Sequence, residues 1–436
     1  MTPLQGLVRP LLLTITGSVA AASLSYGAQP PDNVRSDPQG NTAMGSNALL
    51  ELSNGIRNTA AGNAALQFNT QGINNTAFGY VALANNTTGY GNTASGADAL
   101  NENTYGVLNT ATGYQALYLN TGGVENTATG AAALEGNSTG YGNTATGYQA
   151  LLNNTTGYAN TATGGDALFD NINGYYNTAT GAAALEGNST GYGNTATGYQ
   201  ALYSNTSGNG NVASGADAMY NNSSGFQNAA FGAQSLNKNT TGSENAAFGN
   251  GALGSNTTGG NNIALGYSAG ANITSGYRNI DIGNAGLASD SGTIRVGTAG
   301  SQTATYIAGV SGTRVTGLAV YVTTSGQLGV QPSSERYKTN VASLGSSTEK
   351  LAKLRPVSFR LKSDPKAGVQ YGLIAEEVAK VYPELVIRNQ AGQPEGVRYE
   401  ELTPMLLNEV QRQQQELAEL KQQVAELLEL QRKAQP

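Results

Sequence analysis

The sequence predicts a mainly β fold: a trimeric parallel β-roll, or solenoid, of 17-residue coils, then a small α+β module and a C-terminal trimeric coiled coil. Three observations carry this. Asn recurs at 41, 58, 75 and at every seventeenth residue to 279, fifteen copies without a slip. Gly supplies 59 of 436 residues while only 11% are charged, unlike an ordinary globular enzyme. Beyond residue 333 charge rises, and the last stretch carries apolar heptads.

Residues 1–28 read as a secretory signal. Arg9 is the basic start, and Leu11 to Leu24 are apolar or small apart from Thr14, Thr16, Ser18 and Ser23. Ser25 and Gly27 place cleavage near Gly27 or Ala28. The competing reading is an uncleaved anchor helix, but the run is short for a span of roughly 20 residues. Secretion or cell-surface display is therefore expected, with no membrane span after signal removal. Residues 29–40 are read as a linker.

The array proper occupies 41–310, including its C-terminal cap. Its unit is Asn-Thr-Ala-x-Gly-x-x-Ala-Leu-x-x-Asn-Thr-x-Gly-x-x, and residues 126–142 and 177–193 are identical. A fixed period without insertions means one solenoid coil per copy. Gly at the fifth and usually the fifteenth position interrupts any helix. Two short strands per coil with Gly corners are expected. The third position (Ala43, Ala60, Ala77) and the ninth (Leu49, Leu66, Leu83) are the expected core. Stacking sets Asn over Asn, in amide ladders. Coils about 4.8 Å apart make a rod of roughly 70 Å. Such small residues give a thin core, for which a homotrimer is the expected remedy.

Asn262-Ile263-Ala264-Leu265-Gly266 and Asn279-Ile280-Asp281-Ile282-Gly283 resemble the core of the head repeats of trimeric autotransporter adhesins. The resemblance covers about 240 residues and implies a left-handed parallel β-roll. It leaves two readings open: an adhesive head or stalk with a cell-surface or glycan ligand, and a spacer with no ligand of its own. A third reading comes from Thr-Ala-Thr in six consecutive coils, Thr110/Thr112 to Thr195/Thr197, which is similar to the lattice of ice-binding proteins. Val212, Ala229, Ile263 and Ile280 at the same place in later coils argue for a packed position instead.

Composition excludes several chemistries. Cys and His are absent, so there is no thiol nucleophile, no zinc finger and no Ser-His-Asp triad. No cofactor or metal is expected. Between 41 and 290 the cations are Arg57, Lys238 and Arg278, which argues against nucleic acid.

From Gly292 the 17-residue rule fails. Thr293–Gly297 and Ala304–Gly309 read as capping strands. Residues 311–332 read as a β neck with a strand at Leu318–Val322. The module at 333–402 reads as helix Thr348–Leu354, strands Val357–Leu361 and Gln370–Ile374, helix Glu376–Val381, then strands Leu385–Arg388 and Gly396–Tyr399. A long helix follows from about Thr403, the coiled coil of 403–436. Val410, Leu417 and Val424 take one heptad position and Leu406, Leu420 and Leu427 the other, interrupted by Gln413 and Gln431.

Ser333, Ser334, Arg336, Lys338 and Asn340 stand at the start of this module. Gly372-Leu373-Ile374-Ala375-Glu376-Glu377-Val378 and Pro383-Glu384-Leu385-Val386 follow in order. Together they resemble the C-terminal intramolecular chaperone of phage endosialidase tail spikes, a self-cleaving family found also on other tail fibres and on a membrane-bound transcription factor. The resemblance covers about the last 100 residues. It implies that Ser333 is the nucleophile, that Lys338 is its general base, and that the Pro332–Ser333 bond is cut. Arg336 and Asn340 match the motif as supporting residues. The enzyme so implied is a single-turnover serine peptidase acting on its own chain. The rival expectation is an uncleaved adhesin whose module stays attached as a trimer anchor.

Overall fold

The computed structural model describes residues 35–308, 319–323, 325–363, 366, 368–389 and 391–433. The expected signal at 1–28 lies outside them, as do residues 309–310 of the cap and 311–318 and 324 of the neck. The chain divides into two compact units, 1–313 and 314–436.

The first unit is built on one 17-stranded sheet. Three-residue strands run from Thr42–Met44 to Ile294–Val296, one per coil and parallel, with Arg35–Ser36 antiparallel on the first. In-register pairs are 17 residues apart, as in Ile263↔Ile280, until the last coil, where Ile280 meets Ile294. The strand expected at Thr293–Gly297 is present as Ile294–Val296, whereas the described part of Ala304–Gly309 holds none.

The expectation of two strands per coil is corrected to one. The half-coil after each strand is a turn, because the seventh and ninth residues are left-handed: Gln149 and Leu151 both have φ 55°. Its amides still bond the next coil, with Leu151 N donating to Ala167 O at 2.9 Å and Asn153 N to Phe169 O at 2.9 Å. Left-handed backbone costs an L-residue about 1–2 kcal/mol, while burying a leucine contributes about 1.5–3 kcal/mol. The fifth-position Gly has no such alternative. Gly113 has φ 135°, and a Cβ there would run into the Gly130 carbonyl of the next coil.

Third- and ninth-position residues form the core as expected; Ala111, Ala145, Leu117 and Leu151 are fully buried. An eighth-position alanine column, including Ala116 and Ala150, joins them. Two buried asparagine columns fill the rest. In the first, Asn143 Nδ2 donates to Asn126 Oδ1 at 3.0 Å and to Gly157 O at 2.9 Å. In the second, Asn137 Nδ2 donates to Asn120 Oδ1 at 2.7 Å. The coil interior is thus deeper than the expected single layer, and one chain closes it.

Both ladders have ends. Asp37 caps the first, its carboxylate accepting the Asn41 backbone and side-chain N–H groups at 2.8 Å each. Ile273 stops the second, leaving Asn256 Oδ1 buried without a donor.

The outer sheet face changes along the array. Six successive strands, Thr110–Thr112 to Thr195–Thr197, expose both threonines and bury the alanine between. Beyond them Phe231, Phe248, Leu265, Ile282 and Val296 continue one of these rows and are exposed. At another edge Tyr141, Tyr158, Tyr175 and Tyr192 stack with ring centroids 4.8–4.9 Å apart, one ring per coil.

The second unit follows the expected element order with shifted bounds. Tyr321–Val322 pairs with Leu328–Gly329, where a strand at Leu318–Val322 was expected; Leu318 lies outside the described residues. The helix expected at Thr348–Leu354 is present as a 3-10 helix, Gly345–Lys353. Antiparallel pairs Val357–Phe359 with Gln370–Gly372 and Val386–Arg388 with Pro394–Val397 flank helix α1, Ala375–Val381. The terminal helix α2 spans Tyr399–Lys433, starting before the expected Thr403. Val378, Tyr382, Leu385, Val386 and Leu402 form the core.

The start of α2 is fastened by a polar cluster. Buried Thr348 donates to Glu409 Oε2 at 3.2 Å and accepts from Asn408 Nδ2 at 2.7 Å. Arg412 bonds Glu409 and Glu349, each at 2.9 Å. On the same helix Leu406, Val410, Leu417, Leu420, Val424 and Leu427 are all exposed. Among the described residues no helix is long and apolar enough to cross a membrane.

Candidate functional site

A five-residue separation along an extended chain would carry Ser333 and Lys338 far apart. A single turn reverses this. Ser334 is extended (φ −66°, ψ 142°), and Glu335–Tyr337 forms one 3-10 turn. Tyr337 N donates to Ser334 O at 3.0 Å and Lys338 N to Glu335 O at 2.9 Å. The turn folds Lys338 back until its Nζ lies 3.4 Å from Ser333 Oγ, the two ends of a long hydrogen bond. Both residues are exposed in the single chain.

The two supporting candidates are placed differently. The Arg336 guanidinium stacks 4.9 Å over the Tyr337 ring. Asn340 sits at φ 53°, a left-handed conformation that Asn tolerates better than most residues. Among the described residues neither makes a hydrogen bond to Ser333 or Lys338.

The later motif residues build the module that carries the turn. Gly372 ends a strand directly beneath Tyr399: a Cβ there would stand 2.6 Å from the Tyr399 hydroxyl. That hydroxyl accepts the Leu373 amide at 2.8 Å. Glu377 on α1 binds Arg355 through two contacts, 2.6 Å and 3.2 Å. The Arg355 hydrogen bond holds the Glu377 carboxyl below the usual carboxylate range. Val378, Leu385 and Val386 face the core. A shallow pocket beside them is lined by Phe359, Leu373, Glu376, Pro394 and Tyr399. This pocket and the Thr348–Glu409–Arg412 cluster have no counterpart in the sequence reading, since their members are scattered along the chain without a spacing rule.

Residues 333–387 match the family model described as chaperone of endosialidase. The chaperone-of-endosialidase segment begins at Ser333 and ends within the strand Val386–Arg388, so it contains the turn, both motif blocks and α1 but not α2. It lies C-terminal to the solenoid, in the second unit. Neither the search of curated proteins nor that of solved structures returns a match for the chain.

Proposed function

We propose that the chain is an exported, trimeric, tail-fibre-like protein whose C-terminal module aligns three chains, promotes folding of the solenoid and is then released by its own cleavage at Pro332–Ser333. The observation that carries this reading is the 3.4 Å approach of Lys338 Nζ to Ser333 Oγ at the first residue of the chaperone-of-endosialidase segment.

In the proposed reaction neutral Lys338 takes the Ser333 hydroxyl proton, and Oγ adds to the Pro332 carbonyl carbon. The Pro332–Ser333 C–N bond breaks, the Ser333 nitrogen takes up the proton, and Pro332 is left as an ester on Oγ. Water hydrolyses the ester, giving a Pro332 carboxylate and a free Ser333. A lysine acts as base only when its ammonium is destabilised, and loss of water is the usual means. Both side chains are exposed in one chain. Neighbouring chains would supply that burial, which ties cleavage to assembly. The exposed Leu–Val seam of α2 supports the same assembly, because three such helices cover it as a coiled coil.

Intact mass of the purified full chain tests the reading. The expected species ends at Pro332, and Ser333→Ala and Lys338→Ala each restore full length. Full-length protein from all three defeats it and leaves the uncleaved adhesin, which the exposure of the dyad favours. In either case the array is proposed to meet a cell-surface or glycan ligand through its exposed tyrosines, such as Tyr114, Tyr148 and Tyr199. The flat threonine rows favour one other reading, a surface that orders ice. Thermal hysteresis lost on replacing Thr144 and Thr146 by Tyr would support it.

A further inference from the structure

The last coil departs from the pattern of every coil before it. The third position is Ala from Ala43 to Ala264, and Asp281 comes next in the same column. Seventeen residues after fully buried Ile273 stands Asp290. Arg295 occupies the register position beside Asp281 on the final strand. Two carboxylates and one guanidinium therefore close the C-terminal end of an interior that is otherwise uncharged among the described residues, mostly Ala, Leu and Asn. Asp281 and Asp290 are the only charged residues in the buried set among the described residues.

The charges are shared unequally. Arg295 donates Nε to Asp290 Oδ2 at 2.6 Å and Nη2 to Asp290 Oδ1 at 2.8 Å. The Leu287 amide adds a third bond to Asp290 at 2.8 Å. Asp281 is 1% exposed, and neither of its oxygens has a hydrogen-bond partner. Its surroundings are Gly286, whose added Cβ would stand 3.3 Å from Asp281 Oδ1, and the Ile273 methyl beside that glycine. A buried carboxylate without a partner carries a desolvation penalty that protonation removes. Among the described residues no group of three or more His, Cys, Asp or Glu gathers there to hold a metal ion, whereas a proton needs no further ligand.

We propose that Asp281 is a proton-operated latch on the terminal coil: protonated, it holds residues 279–297 closed on the solenoid, and ionised, it loosens them. Burial pushes its carboxyl up first, Asp290 repulsion adds to this, and Arg295 partly opposes both, giving about 6 against an ordinary 3.8. Asp290 is held low by Arg295 and stays ionised across that range. The closed coil binds the proton more tightly than the open one. Closure is therefore fully favoured below 3.8, weakens as pH rises towards about 6, and is constant above. The difference corresponds to about a hundredfold change in the closing equilibrium.

Hydrogen exchange of the full chain, corrected for intrinsic rates, reads this directly. Peptides covering 279–297 should lose about a hundredfold protection between pH 4 and pH 7, while those covering 144–163 do not. Asp281→Ala, which continues the alanine column, and Asp281→Asn should both abolish the pH dependence. A pH-independent wild type overturns the proposal, as does an unchanged pH dependence in either variant.

Discussion

Asn143 and Asn126 are 17 residues apart in sequence and 3.0 Å apart through Nδ2 and Oδ1. The same Oδ1 of Asn126 also accepts the Asn143 backbone amide at 3.0 Å. Most asparagines of the first column thus satisfy one backbone and one side-chain donor of the next asparagine, whereas Asn58 accepts the Asn75 backbone amide alone.

Replacing Asn143 by Leu is expected to destabilise the array by about 3 kcal/mol, because Asn160 loses its acceptor and Gly157 O its donor. Denaturant melts should show this. The exposed neighbour Thr144→Ala should stay within about 0.5 kcal/mol of wild type.

The left-handed half-coil gives a contrast of sign. Leu151→Ala keeps the strained φ and removes buried volume, so a loss of about 2–5 kcal/mol is expected. Gln149→Gly relieves the strain at φ 55°, and a gain of about 0.5–1 kcal/mol is expected. Equal losses from both would show that the left-handed residues are not strained.

In the C-terminal unit, Gly372→Ala forces a methyl against the Tyr399 hydroxyl and should cost about 1–3 kcal/mol. Tyr399→Phe removes the acceptor of the Leu373 amide and should cost about 1 kcal/mol. The double variant should cost less than the sum, because the ring no longer carries the oxygen that the methyl meets; thermal melts of all three give the coupling.

The N-terminal end of the array should respond to acid in the opposite sense to its C-terminal end. Hydrogen bonds from Asn41 hold the Asp37 carboxyl below 3.8. A depressed value means that its contribution is present above 3.8 and is lost as pH falls through the lower, folded-state value. Amide protection at 42–44 should therefore fall on acidification, and Asp37→Asn should remove most of that response.

The coil period, the Ala and Leu columns and the stacking of asparagines were legible because each recurs at a constant step. The single strand per coil was not. Leu and Gln avoid positive φ in isolation, so Leu151 and Gln149 carry no local sign of a left-handed turn; cooperative stacking of the coils imposes it. Asp281 likewise reads as an ordinary strand residue in Ile280-Asp281-Ile282, and only the register shows that it points inward. At the candidate site, the motif located Ser333 and Lys338, but the 3-10 turn that joins them depends on backbone bonds of Ser334 and Glu335 that no spacing rule encodes.

Among the described residues, successive coils of the array join through backbone bonds and the first asparagine column, which every copy shares. A gene that gains or loses a whole 17-residue unit therefore changes the length of the protein by about one strand spacing and leaves every junction as it was. The identical blocks 126–142 and 177–193 show such copying in the chain itself. Reach becomes a trait that recombination can adjust in fixed steps, without new folding problems at each step.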